Sequence, residues 1–199
     1  MDSIIEESSF IESGSVETKL QSIDELSKKP GAKAVGPLIE AMADPEWLVR
    51  KRAAETIAGI GPEVIEPLGR VLAVGNEDQR FWAVKALVLL GSKALPLLCR
   101  ALQRGSKSMR IYAASALGDI GDETVIPLLV KGLSDKVWRV RRNCHQALLA
   151  FGEAALPELE KAIDTDDEDL LYWSIRTLGK IGKPSRSILL KALKSGSEQ

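Results

Sequence analysis

Five glycines keep one beat along this chain: Gly61, Gly91, Gly121, Gly152 and Gly182 are spaced by 30, 30, 31 and 30 residues. Prolines keep nearly the same beat at Pro37, Pro67, Pro96, Pro127 and Pro157. The stretches from each proline to its glycine are variants of one text, among them PLIEAMADPEWLVRKRAAETIAGIG and PLLVKGLSDKVWRVRRNCHQALLAFG. A sustained period near 30 residues constrains the fold more than any other feature here. A unit of that size cannot bury its apolar face alone, so successive units must stack and share a core.

Each unit reads as two helices. After the proline comes a short apolar pattern such as Leu129/Leu133 or Leu159/Ile163, the i, i+4 spacing of one helix face. Proline suits the start of that helix, where a missing N–H costs least. A polar break follows, with Asp44, Asn76, Ser106, Asp135 and Asp166 expected as N-caps of a longer second helix. That helix runs to the glycine, which is expected to be an αL C-cap. No segment alternates with period two over a strand's length, so no sheet is expected.

The fold class that follows is all-α, an α-α superhelix of about six helix pairs with a C-terminal capping helix. The expected organisation is a single repeat domain over residues 1–199. Residues 1–31 form a degenerate N-terminal capping repeat, 32–182 five regular repeats, and 185–195 the closing helix. SVETKLQSIDELSK at 15–28 reads as a degenerate second helix, with Lys19 where later copies place arginine, and residues 2–12 as its partner.

Composition fits a folded, water-borne chain. Forty-five per cent hydrophobic and 28% charged residues exclude global disorder, and no apolar run nears the roughly 18 residues of a membrane span. The opening MDSIIEESSF is acidic where a signal peptide is basic and then apolar, so the expectation is no export and a cytoplasmic location. Cys99 and Cys144 have neither the number nor the spacing of a disulfide framework or zinc site. The net charge of −1 is uneven, with +5 concentrated in residues 100–150.

The period, the alternating helices and the D-x-x-W-x-V-R pattern of Asp44–Arg50 and Asp135–Arg141 resemble the short HEAT-like repeats of the phycobilin-lyase type. The resemblance covers essentially the whole chain. It implies a HEAT-like, armadillo-type α-solenoid, and leaves function open between bilin lyase subunits, scaffolds and, in divergent branches, enzymes.

Counting back from each closing glycine puts the long helices in register, and a step of about 100° per residue sorts positions into faces. Positions 12, 8, 5, 4 and 1 make the core arc, for example Val140, Cys144, Ala147, Leu148 and Phe151. The opposite arc holds positions 14, 13, 10, 6 and 3, with 9 at its margin. The dense stretch WRVRRNCH therefore comes apart: Val140 and Cys144 point inward, Trp138, Arg139 and Arg142 outward, and Arg141 and His145 lie on the flank. Arg50, Arg80, Arg110 and Arg141 form a column that in such repeats bonds neighbouring turns.

Seven of the nine aromatics fall at positions 14, 10 or 9: Trp47, Phe81, Trp82, Tyr112, Trp138, Tyr172 and Trp173. Lys51, Lys85, Arg139, Arg142 and Arg176 stand between them, and Ile111 joins them. In folds of this kind the second helices line the concave surface, so these residues are the expected partner-binding face. Position 9 borders the core, and Trp82, Tyr112 and Trp173 have the alternative role of sealing the seam between units.

Three functional classes remain. The favoured one is a non-catalytic protein-binding scaffold or adaptor, whose protein or peptide partner carries acidic flanks. The resemblance implies a second, a phycobilin lyase-like or tetrapyrrole-binding chaperone subunit, with guanidinium groups pairing propionates. The third is a HEAT-like DNA glycosylase, a loose analogy through Trp47, Trp82, Trp173, Arg142 and Asp119 that a pI near 6.0 disfavours. No catalytic residues, metal ligands or cofactor are expected. A single histidine cannot supply the His-Glu pairs that hold iron in deoxyhypusine hydroxylase, another HEAT-like protein.

Overall fold

The computed structural model describes residues 14–28 and 31–195. The expected partner helix at 2–12 lies outside them. Every regular element among the described residues is helical. The helices are α1 (Val16–Leu26), α2 (Gly31–Ala41), α3 (Trp47–Ile60), α4 (Ile65–Val74), α5 (Glu77–Leu89), α6 (Leu95–Arg104), α7 (Lys107–Ile120), α8 (Ile126–Lys131), α9 (Trp138–Phe151), α10 (Leu156–Ala162), α11 (Glu168–Ile181) and α12 (Arg186–Ser195). The fold is all-α, with short and long helices alternating at the period of the sequence. Short 3₁₀ turns such as Pro62–Val64 and Gly152–Ala155 lead from a long helix into the next short one.

The chain divides into two compact units, Met1–Ala101 and Leu102–Gln199. In the first, α3 packs on α1, α2 and α5, and α5 packs on α4. In the second, α9 packs on α7, α8 and α11, and α11 packs on α10 and α12.

Helix registration accounts for both cores. Position 8 of the long helices is always small, with Ala53, Ala83, Ala113, Cys144 and Ser174 all fully buried. Small side chains there let neighbouring helices approach closely. Position 4 carries Ile57, Leu87, Leu117, Leu148 and Leu178, and the short helices contribute Leu38, Leu68, Leu98, Leu129 and Leu159, again with no exposed surface. Each such aliphatic side chain stabilises the fold by about 1.5–3 kcal/mol.

The helix ends differ in part from expectation. Asn76 caps α5 in a capping box with Gln79, and Ser106 caps α7. At α3 and α9 the caps are Glu46 and Val137, without side-chain bonds. There Asp44 and Asp135 sit further upstream and accept the backbone N–H two residues on, at 2.9 and 2.8 Å. Such an Asx turn leaves the second carboxylate oxygen free for a cation. The cap of α11 is Asp167, one residue beyond the expected Asp166.

Pro37 lies inside α2, unlike the other prolines of the series, because that helix begins at Gly31. All five periodic glycines have positive φ, and Gly121 alone among the helix C-caps is left-handed αL. Gly61, Gly152 and Gly182 combine positive φ with ψ of −164°, −124° and −132°, a region closed to other residues, as the chain enters the next 3₁₀ turn.

Candidate ring and cation face of the long helices

The D-x-x-W-x-V-R pattern resolves into a turn with four jobs. Asp44 closes its Asx turn and takes Lys19 Nζ at 2.7 Å, and Asp135 takes Arg110 Nε at 2.7 Å. Each acid thus ties one repeat to the cation column of the preceding one. Val49 and Val140 enter the core, fully buried. Arg50 Nη1 donates back to Asp44 O at 2.6 Å and Arg141 Nη1 to Asp135 O at 2.7 Å. The column continues through Arg141 and Asp169 at 3.3 Å. This cation column is structural, holding turns and neighbouring repeats within each unit.

The tryptophan of the pattern has no such role. Trp47 and Trp138 are 56% and 55% exposed, and Tyr172 and Phe81 are 55% and 48% exposed. In each case a cation follows four residues later: Lys51, Arg142, Arg176 and Lys85. That spacing puts ring and cation on one helix face. Lys51 Nζ stands 5.7 Å from the Trp47 ring, Lys85 Nζ 5.6 Å from the Phe81 ring, and Arg176 5.7 Å from the Trp173 ring. The attraction of a cation for a ring face holds both groups upright without burying them.

The first unit carries Trp47 and Lys51 on α3, and Phe81, Trp82 and Lys85 on α5. Phe81 and Trp82 meet edge to face, with centroids 5.2 Å apart. In the second unit, Tyr172 and Trp173 repeat that contact at 5.7 Å, and Arg176 donates to the Tyr172 hydroxyl at 3.2 Å. Arg139 and Arg142 are exposed. Trp82, Tyr112 and Trp173 are half-buried, as the seam role requires, and the Trp173 ring lies 5.4 Å from the His145 imidazole.

Ile111 is a correction. It shares position 10 with Phe81 and Tyr172, yet only 6% of it is exposed. Asn143 of the neighbouring helix α9 donates to Ile111 O at 2.9 Å, so α9 lies against this turn of α7. The residue belongs to the core and drops out of the candidate face. His145 goes further inward than its flank position indicated and is buried against Thr177.

Sequence registration missed a cleft of about 240 Å³ between α7 and α9, bordered by Ser115, Asp119, Arg142 and Gln146 and floored by Gly118 and Ala147. A Cβ on Gly118 would lie 2.6 Å from that of Ala147, which measures how closely the helices approach there. The signal was present in the text, since Ser115 and Gln146 occupy position 6 of the outward arc. The groove appears only once two helices are set side by side. Among the described residues no three His, Cys, Asp or Glu side chains come together to hold a metal ion.

Alternating short and long helices on one period, a small buried residue at position 8 of every long helix and a cation column between neighbouring repeats define an α-helical repeat protein. The family model of HEAT repeats matches residues 8–88, 35–109, 65–149 and 95–176, and the chain belongs to that family. No curated protein matches the sequence. Solved structures similar in fold include the complex of CpcE and CpcF of phycocyanin lyase from Nostoc sp. PCC7120, at 22% identity, over 66% of this chain and 89% of that one, with a TM-score of 0.49. Human deoxyhypusine hydroxylase is similar at 21% identity over 89% and 84% of the two chains, TM-score 0.43. A designed armadillo repeat protein in complex with the peptide (KR)4 is similar at 20% identity over 90% and 99%, TM-score 0.40. Among the described residues no helix is long and apolar enough to cross a membrane.

Proposed function

We propose that this protein is a non-catalytic binding scaffold or adaptor that holds a helix or extended segment of a protein partner, with acidic flanks, against the ring and cation faces of its long helices. One observation carries the reading: Trp47, Phe81, Trp138 and Tyr172 each leave about half their surface in water, with Lys51, Lys85 and Arg176 against Trp47, Phe81 and Tyr172. Fully burying a ring of that size is worth roughly 1.5–3 kcal/mol, so a partner that covers the exposed half recovers about half of that. Trp, Tyr and Arg are also the residue types that carry most interface energy. The cytoplasm is the compartment in which we place this activity.

The test is a pull-down from native lysate comparing the wild type with Phe81→Ala/Trp82→Ala, far-UV circular dichroism establishing that both are folded. Specific partners retained by the wild type and lost by the variant support the reading. A folded variant that keeps every partner overturns it.

A further inference from the structure

The two units carry the same ring and cation pattern and differ in what meets the cations. In the first, Lys51 Nζ lies 3.6 Å from Glu55, and Arg52 Nη1 lies 2.8 Å from Asp24. In the second, Arg139, Arg142 and Arg176 form no ion pair with any described residue. Arg176 is instead propped upright by the Tyr172 hydroxyl and the Trp173 ring. The charge is felt beneath the surface: burial, then Arg176 and Lys180, hold the His145 imidazole below its ordinary range.

Arg142 also borders the cleft between α7 and α9, with the Ser115 hydroxyl and the Gln146 amide as further donors. The charged residues bordering the cleft are Arg142 and Asp119, and Gly118 and Ala147 line its floor.

We infer that the long-helix face of the second unit is a site for an extended acidic peptide segment, with one carboxylate seated on Arg142 in this cleft and a second on Arg176. This rests on the scaffold reading above and names its partner chemistry. Helices packed like α9 and α11 lie about 8–10 Å apart, and an extended chain advances roughly 3.3 Å per residue. The two carboxylates are therefore about three residues apart in the segment, with an apolar residue between them against Trp138 and Tyr172. Discrete carboxylates fit better than a nucleic-acid backbone. The exposed Asp166, Asp167, Glu168 and Asp169 open α11 and repel a continuous run of phosphates.

The experiment titrates the full chain with a synthetic peptide of about twelve residues repeating Glu-Leu-Ser, read by tryptophan emission, beside a Gln-Leu-Ser peptide and an oligothymidylate of matched charge. Saturable binding of the glutamate peptide is expected, weakened at least about tenfold by Arg142→Glu/Arg176→Glu and by raising salt from about 50 to about 300 mM. Lys93→Glu, on the exposed Gly91–Ala94 turn of the first unit and outside the ring and cation face, is expected to leave it unchanged. Failure of the glutamate peptide to bind, or equal binding by the double variant, overturns the inference. Equal binding of the glutamine peptide overturns the carboxylate claim while leaving the scaffold reading standing, and tighter binding of the oligothymidylate reassigns the face to nucleic acid.

Discussion

His145 Nδ1 lies 2.8 Å from the Oγ1 of Thr177, whose own hydroxyl donates to Trp173 O at 2.6 Å. With the threonine proton committed, Nδ1 carries the imidazole proton and donates. The link joins α9 to α11 inside the second unit, between a buried ring and a fully buried threonine.

Burial, followed by Arg176 and Lys180, lowers the His145 pKa from its reference of 6.5. Protonation is thus easier in the unfolded chain than in the folded one, which ties stability to pH. The contribution of the neutral imidazole is complete above 6.5 and is lost as pH falls through the depressed folded value. Urea midpoints measured between about pH 7 and about pH 5 should therefore fall more steeply for the wild type than for His145→Val, a residue that Val84 already places in the equivalent slot. Parallel slopes for the two proteins would contradict a buried neutral imidazole.

Lys19 and Asp44 form an ion pair at 2.7 Å with side chains only 10% and 5% exposed. Replacing Lys19 with Met strands the Asp44 carboxylate in the core, at a cost of about 3–5 kcal/mol. Chemical denaturation of Lys19→Met, Asp44→Asn and the double variant measures the coupling. The double variant is expected to be more stable than the sum of the single losses implies, and strict additivity would mean that the pair contributes nothing.

Gly132 and Cys144 form a matched pair across α8, its trailing 3₁₀ turn and α9, because a Cβ on Gly132 would collide with Cys144 Sγ. At the corresponding positions the sequence carries Met42/Ala53, Leu72/Ala83, Ala101/Ala113 and Ala162/Ser174, so the repeat with a glycine at this position is the one with a thiol at position 8. Gly132 has a φ of −67°, so alanine meets no backbone penalty there. Gly132→Ala is expected to cost about 1–3 kcal/mol by overpacking, and Gly132→Ala/Cys144→Ala to recover most of it. Thermal unfolding of the three proteins tests this; a single variant as stable as the wild type would refute the match. Burial also raises the Cys144 thiol pKa well above its usual range, so it should resist thiol reagents in the native protein.

Much of this was legible in the text. A helix has one period, so counting from Gly61, Gly91, Gly121, Gly152 and Gly182 was enough to place Ala53, Ile57, Cys144 and Leu148 inside and Trp47, Phe81, Trp138 and Tyr172 outside. The structural role of the arginine column could be anticipated, since its members fall on the flank where turns of adjacent repeats meet.

The backbone pattern belongs to each repeat separately, and a sequence read one helix at a time holds that information completely. What a second helix does to the first is absent from it. Ile111 sits at the same angle as Phe81 and is buried because α9 leans on that turn of α7. Asp44 and Asp135 trade a helix cap for an Asx turn because a cation from the preceding repeat claims their other oxygen. The cleft that Arg142 and Asp119 border exists only between neighbours. Periodicity alone set the helices and their faces; contact between helices, governed by how closely small residues let them approach, decided which outward positions remain open to a partner.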